Sequence, residues 1–170
     1  MKLIKQSFEI WEQPAGLEGV YKQIEKVGRV CYKSEDKITE DSAKPFVDRM
    51  IKSGHGAMLE HGTVYLAMPM EIILPIEANG WGKYTKSPYS KGFKICKVDG
   101  QRRVAITTNL RVLAENGCLD DLQYICEPTE YHERRVTVHF VCDRGVSHEF
   151  VRHRVMSFAQ ESTRRMIMAA

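Results

Sequence analysis

The sequence predicts an α+β fold: a mostly antiparallel sheet flanked by helices. Three observations carry this. Residues 16–32, "GLEGVYKQIEKVGRVCY", place Leu17, Val20, Tyr21, Ile24 and Val27 at helical spacing. Residues 92–106, "GFKICKVDGQRRVAI", center on Asp99-Gly100, a pair suited to a two-residue type I′ hairpin turn. Strand-like and helix-like segments then interleave along the chain, with at least one hairpin among them. The chain has 170 residues and is 43% apolar, which fits one domain, residues 1–170, with a sizeable core.

Taken in order, residues 41–54, "DSAKPFVDRMIKSG", read as a second helix. Ser42 is placed to cap it, Pro45 suits its first turn, and Ser53-Gly54 suits its end. Phe46, Val47, Met50 and Ile51 form its core stripe. Residues 63–70, "TVYLAMPM", read as a strand. The Gly-, Lys- and Tyr-rich stretch 80–92 reads as a loop. Residues 107–117, "TTNLRVLAENG", read as a short helix with threonine caps and Gly117 as its stop, and 119–126, "LDDLQYIC", as another helix. In residues 135–142, "RVTVHFVC", strict alternation puts Val136, Val138, Phe140 and Cys142 on one face of a strand. "RGVSHEFVRHR", residues 144–154, begins a final helix.

Composition narrows the function classes. Lys and Arg number 25 and Asp and Glu 22, so the net charge is only +3. That balance excludes a generic nucleic-acid binder, and any basic function must be local. No apolar run reaches the length of a membrane span, and the charged N-terminus does not read as a signal peptide. A cytoplasmic protein is the expectation. The five cysteines, Cys31, Cys96, Cys118, Cys126 and Cys142, are scattered and form no Cys-x-x-Cys pair. Reduced, mostly buried thiols are expected rather than disulfides or structural zinc.

The chemistry concentrates in residues 147–165, "SHEFVRHRVMSFAQESTRR". "HEFVRH" superficially resembles a zinc-protease helix, but His148 and His153 are five apart, so a helix turns them about 140° from each other. No metal is expected. Glu149, Arg152 and His153 stand three and four apart and would share a helix face. A solvated, salt-bridged helix end remains the plain alternative. A nucleic-acid surface built from Arg134, Arg135, Arg144, Arg152, Arg154, Arg164 and Arg165 has too little aromatic interleaving to be preferred.

Arg152-His153-Arg154, then seven residues, then Ser162, with Arg164 two further on, resembles the signature of flavin-dependent thymidylate synthases. Ser157 and Gln160 fall where that family commonly has Ser and Gln. "GRVCYKSED" at 28–36 and "SGHGAMLEH" at 53–61 resemble the family's N-terminal region. The similarity covers most of residues 1–70 and 134–165, and 71–133 is less diagnostic.

The resemblance implies that family's fold and a reaction methylating dUMP to dTMP. Methylenetetrahydrofolate would be the carbon donor, NADPH the reductant, and FAD the electron carrier. It implies FAD binding by His55, Arg152, His153, Arg154 and Gln160, with Arg154 and Ser162 in catalytic positions. It also implies dUMP binding by Glu149, Gln160, Glu161, Ser162 and Arg164. Guanidinium groups suit such ligands, because they bind phosphates and carboxylates bidentately and stay charged.

A carboxylate facing a phosphate would be repelled, so Glu149 is expected to bond an arginine or a ribose hydroxyl. Three assignments keep an alternative. His55 could cap a helix end after Gly54, Glu60 and His61 could simply hold the following strand, and Ser157 could be a turn residue. The family assembles as a homotetramer and continues well past the motif, where Tyr usually follows the last arginine. Here Arg165 follows it and the chain ends at Ala170. A C-terminally incomplete family domain is therefore expected, and the alternative function is a catalytically impaired flavin- or nucleotide-binding relative.

Overall fold

The computed structural model describes residues 5–73, 82–98, 100–153 and 156–161. In chain order these form β1 (Ser7–Trp11), α1 (Gly16–Tyr32), a 3-10 turn (Glu35–Lys37), α2 (Ala43–Lys52), α3 (Gly56–Leu59), β2 (Thr63–Pro69) and α4 (Met70–Ile73). They continue with α5 (Gly82–Thr85), β3 (Lys91–Val98), β4 (Gln101–Asn109), α6 (Leu110–Glu115), a 3-10 helix (Leu119–Tyr124), β5 (Thr137–Val141) and α7 (Arg144–Phe150). Every strand pairing among the described residues is antiparallel, and helices flank the sheets, so the α+β class holds.

The strands make two sheets rather than one. β2, β4 and β3 form a three-stranded sheet with β4 in the middle, and β1 pairs only with β5. Val98 faces Gln101, so two residues turn the β3–β4 hairpin. Gly100 adopts φ +77°, as such a turn demands, while Asp99 lies outside the described residues. The core gathers Val64, Leu66 and Met68 of β2, Val104 and Ile106 of β4, and Leu110 and Leu113 of α6. Val20 and Ile24 of α1 close over it with Phe46 and Val47 of α2. Each such buried side chain contributes about 1.5–3 kcal/mol.

Helix α1 spans the predicted stretch and ends at Lys33, which takes the left-handed conformation with φ 49°. Helix α2 ends at Ser53 with Gly54 at φ +69°, as expected. Ser42 precedes α2 but does not cap it. Its hydroxyl donates to Glu25 Oε2 at 2.8 Å, because the buried carboxylate of α1 is the stronger acceptor.

The threonine caps predicted for α6 are likewise corrected. Thr107 and Thr108 are buried inside β4, and Asn109 Oδ1 accepts from Val112 N at 3.1 Å instead. "LDDLQY" winds as a 3-10 helix. The predicted loop is partly helical: Tyr84 in α5 is fully buried and donates to Asp121 at 2.7 Å, beside the Lys83–Asp121 ion pair.

The β1–β5 ribbon has two unlike faces. Val138 and Phe140 do lie on one face, and cross-strand register adds Phe8 and Ile10. This face is largely solvent-exposed, with Phe8 at 69% and Phe140 at 49%. On the opposite face Trp11 stacks on His139 at 4.6 Å, and Lys26 of α1 covers the Trp11 ring. Gln13 then pairs with both backbone groups of Thr63, fastening the ribbon's exit to β2.

Candidate functional site

The end of α1, the α2–α3 junction and the segment 156–161 converge on one surface. His55 stands between α2 and α3, and its backbone N–H closes α2 by donating to Met50 O at 2.9 Å. The capping alternative thus describes its main chain. Its ring is exposed and shares a 2.9 Å hydrogen bond with the Tyr32 hydroxyl at the end of α1. The next residues, Gly56 to Leu59, make one helical turn that delivers Glu60 and His61 inward.

Glu60 grips the segment carrying Ser157 and Gln160. Ser157 Oγ donates to Glu60 Oε2 at 2.5 Å, although the two residues are 97 positions apart. Glu60 Oε1 accepts from the Arg111 guanidinium, and the Glu60 side chain is only 10% exposed. Burial pushes the His61 pKa down, partly offset by the charge of Glu60 and by the polar backbone of Phe158. Its Nε2 finds no partner among the described residues.

The rest of the segment is held from α1 and α7. The Glu161 carboxylate pairs with Lys33, and Gln160 Nε2 donates to Ser147 Oγ at 2.9 Å. Burial raises the pKa of the Cys31 thiol at the end of α1, against an opposing effect of the Gln160 backbone. Cys31 is therefore a poor nucleophile at neutral pH.

α7 is capped by Asp143, whose Oδ1 accepts from Val146 N at 3.0 Å, and it stops at Phe150. Arg152 and His153 thus lie past its end, in turns closed by Arg152 N to Glu149 O and His153 N to Phe150 O. The expected shared helix face shortens to Glu149 and Arg152, which form an ion pair at 3.4 Å. Glu149 therefore does bond an arginine, as its charge required. With side chains 66% and 73% exposed, the pair is worth under about 1 kcal/mol. His153 is exposed. Arg154, Ser162 and Arg164 lie outside the described residues, as does Arg165.

Sequence reading missed Tyr32, Lys33 and Arg111 as partners of the site. Tyr32 and Lys33 sit within the quoted "GRVCYKSED", so a signal was at hand. Arg111 lies in the stretch set aside as undiagnostic. Among the described residues no three His, Cys, Asp or Glu side chains converge as a metal ligand set. Two cavities, of about 350 and 280 Å³, border the ribbon. The first lies between Trp11, Gln13, Tyr65 and Arg134, the second beside Phe8, Phe140 and Phe150, and no predicted site residue lines either. No helix among the described residues is long and apolar enough to cross a membrane. No protein-family model, curated protein or solved structure matches this chain.

Proposed function

We propose that the chain is a flavin-dependent thymidylate synthase, converting dUMP to dTMP with methylenetetrahydrofolate, NADPH and FAD. One juxtaposition carries the reading. Two of the stretches that carry the resemblance, 53–61 and 152–164, are remote in sequence yet meet through the Glu60–Ser157 hydrogen bond. A structural role alone would not require both to carry this family's residue types.

The side chains here fit an anionic, planar group. Arg152 leaves most of its guanidinium open, and His153 and His55 present exposed flat rings. Arg152, His153, His55 and Gln160 would hold FAD together with Arg154. Glu149, Gln160 and Glu161 would face dUMP together with Ser162 and Arg164. Both carboxylates carry a basic partner, Arg152 for Glu149 and Lys33 for Glu161, which relieves their repulsion of a phosphate. Bound FAD would supply the hydride that reduces the transferred carbon, so the chain needs to bind, orient and balance charge. The raised thiol of Cys31 agrees with a reaction that uses no cysteine nucleophile. In the same reading the fold is that family's, and a homotetramer in the cytoplasm completes the site.

The test is an FAD titration, with and without dUMP. Arg152→Ala and His153→Ala should each weaken FAD about tenfold or more, the loss of one charge-assisted or ring contact, without unfolding. Ser162→Ala should impair dUMP more than FAD. A folded chain that binds neither ligand would refute the reading. FAD binding without oxidation of the reduced flavin by dUMP and methylenetetrahydrofolate would favor the impaired relative instead.

A further inference from the structure

The Glu60 carboxylate has two oxygens and two jobs. Oε2 accepts from Ser157, at the head of the 157–161 segment. Oε1 accepts from Arg111, which reaches across from the first turn of α6. Arg111 is itself constrained on three sides. Its Nε donates to Glu115 Oε1 at 2.7 Å, one turn further along α6. Its guanidinium carbon lies 5.4 Å from the center of the Tyr89 ring. Its side chain also crosses the start of α3 so closely that a Cβ on Gly56 would fall 2.8 Å from Arg111 Nε. The guanidinium is pre-aimed before it meets Glu60.

We propose that Arg111 is a positioning residue: acting through Glu60, it fixes Ser157 and with it the segment 157–161. The physical reason is charge. A carboxylate that is 10% exposed is held in one orientation when a guanidinium bonds one of its oxygens. Without Arg111, Glu60 loses its cationic anchor, is free to turn toward water, and holds Ser157 less well. The segment's other end is tied only by exposed contacts, the Gln160–Ser147 hydrogen bond and the Glu161–Lys33 ion pair, which do not replace it. The link from Arg111 to flavin and nucleotide binding rests on the function proposed above. The link from Arg111 to the segment does not.

The experiment separates the two. Hydrogen exchange is followed in the full chain for wild type, Arg111→Met, Arg111→Lys, Ser157→Ala and the double variant Arg111→Met/Ser157→Ala. Arg111→Met should speed exchange at 157–161 by about tenfold while the buried amides of α1 keep their protection. Lysine should restore part of it. The double variant should be no faster than Arg111→Met alone, because both act through one carboxylate.

Additive effects, or loss of protection throughout, would overturn the proposal. Should Arg111→Met fail to fold, Gly56→Ala displaces the same guanidinium while keeping every charge, and must give the same local pattern; unchanged exchange at 157–161 would refute it. FAD titration of the same samples reads the functional half. If wild type binds no FAD, the flavin reading falls and the exchange result stands. If wild type binds FAD and Arg111→Met binds it equally despite a loosened segment, Arg111 does not position the cofactor site.

Discussion

Arg29→Met offers a quantitative test of how the scaffold beneath the site is held. Glu25 of α1 is 1% exposed, and its carboxylate accepts from Arg29 Nε at 3.1 Å, Arg29 Nη2 at 2.9 Å and Ser42 Oγ at 2.8 Å. Arg29 is itself buried and lies 4.8 Å from the center of the Phe46 ring of α2. Methionine removes the cation and keeps the apolar stem, leaving a buried carboxylate with one hydroxyl donor. Breaking a buried pair from one side costs about 3–5 kcal/mol. In a chain of this length that lowers the melting temperature by roughly 6–20 °C.

Ser42→Ala removes one charge-assisted bond and should cost about 1.5–3 kcal/mol. The double variant Glu25→Met/Arg29→Met removes both charges and should recover most of the loss. Differential scanning calorimetry or urea unfolding of the three variants gives the answer. A single Arg29→Met loss under about 1 kcal/mol, or a double variant no better than the single, would refute the claim that charge compensation, rather than stem packing, joins α1 to α2.

Two further outcomes follow from the same geometry. Gly28 faces the Phe46 ring, and an added Cβ would fall 2.5 Å from its Cζ, so Gly28→Ala should destabilize by about 1–3 kcal/mol in chemical denaturation despite alanine's better helix propensity. His61 is depressed below its ordinary value by burial, so its contribution to stability is complete above about pH 6.5, the unfolded value, and is lost as pH falls toward the folded value. His61→Gln should flatten the pH dependence of stability over that acidic range, and an unchanged profile would assign the acid sensitivity elsewhere.

Much of the fold was legible wherever one local signal dominated. The apolar spacing of α1, the Gly54 stop of α2 and the two-residue β3–β4 turn are all decided within a few residues. The errors occurred where a remote group outbid the local one. Ser42 had the right position for a cap but lay within reach of the buried Glu25. Thr107 and Thr108 had capping side chains, but β2 and β3 flank β4 on both sides and extend it through them. The ion pair Glu149–Arg152 was legible from spacing alone, whereas the reach to His153 assumed a helix that ends at Phe150. Arg111 was invisible for a physical reason: its partner Glu60 is 51 residues away, and no periodicity encodes a single contact at that range.

The β1–β5 ribbon has a consequence for the order in which the protein can be built. Glu9 and His139, cross-strand partners, are separated by 130 residues. Joining ends so far apart carries a closure cost of about 4 kcal/mol, while the β3–β4 hairpin closes across two residues and forms almost at once. At synthesis rates of about 5–20 residues per second, the strand made first waits on the order of ten seconds for its mate. During that interval Phe8, Ile10 and Trp11 travel on the nascent chain with their backbone unpaired, a short β-prone stretch of the kind that chaperones and neighboring nascent chains capture. β1 is made long before β5 and so is among the last of the described strands to find its partner, which adds an exposure during translation to the one its apolar face keeps in the finished fold.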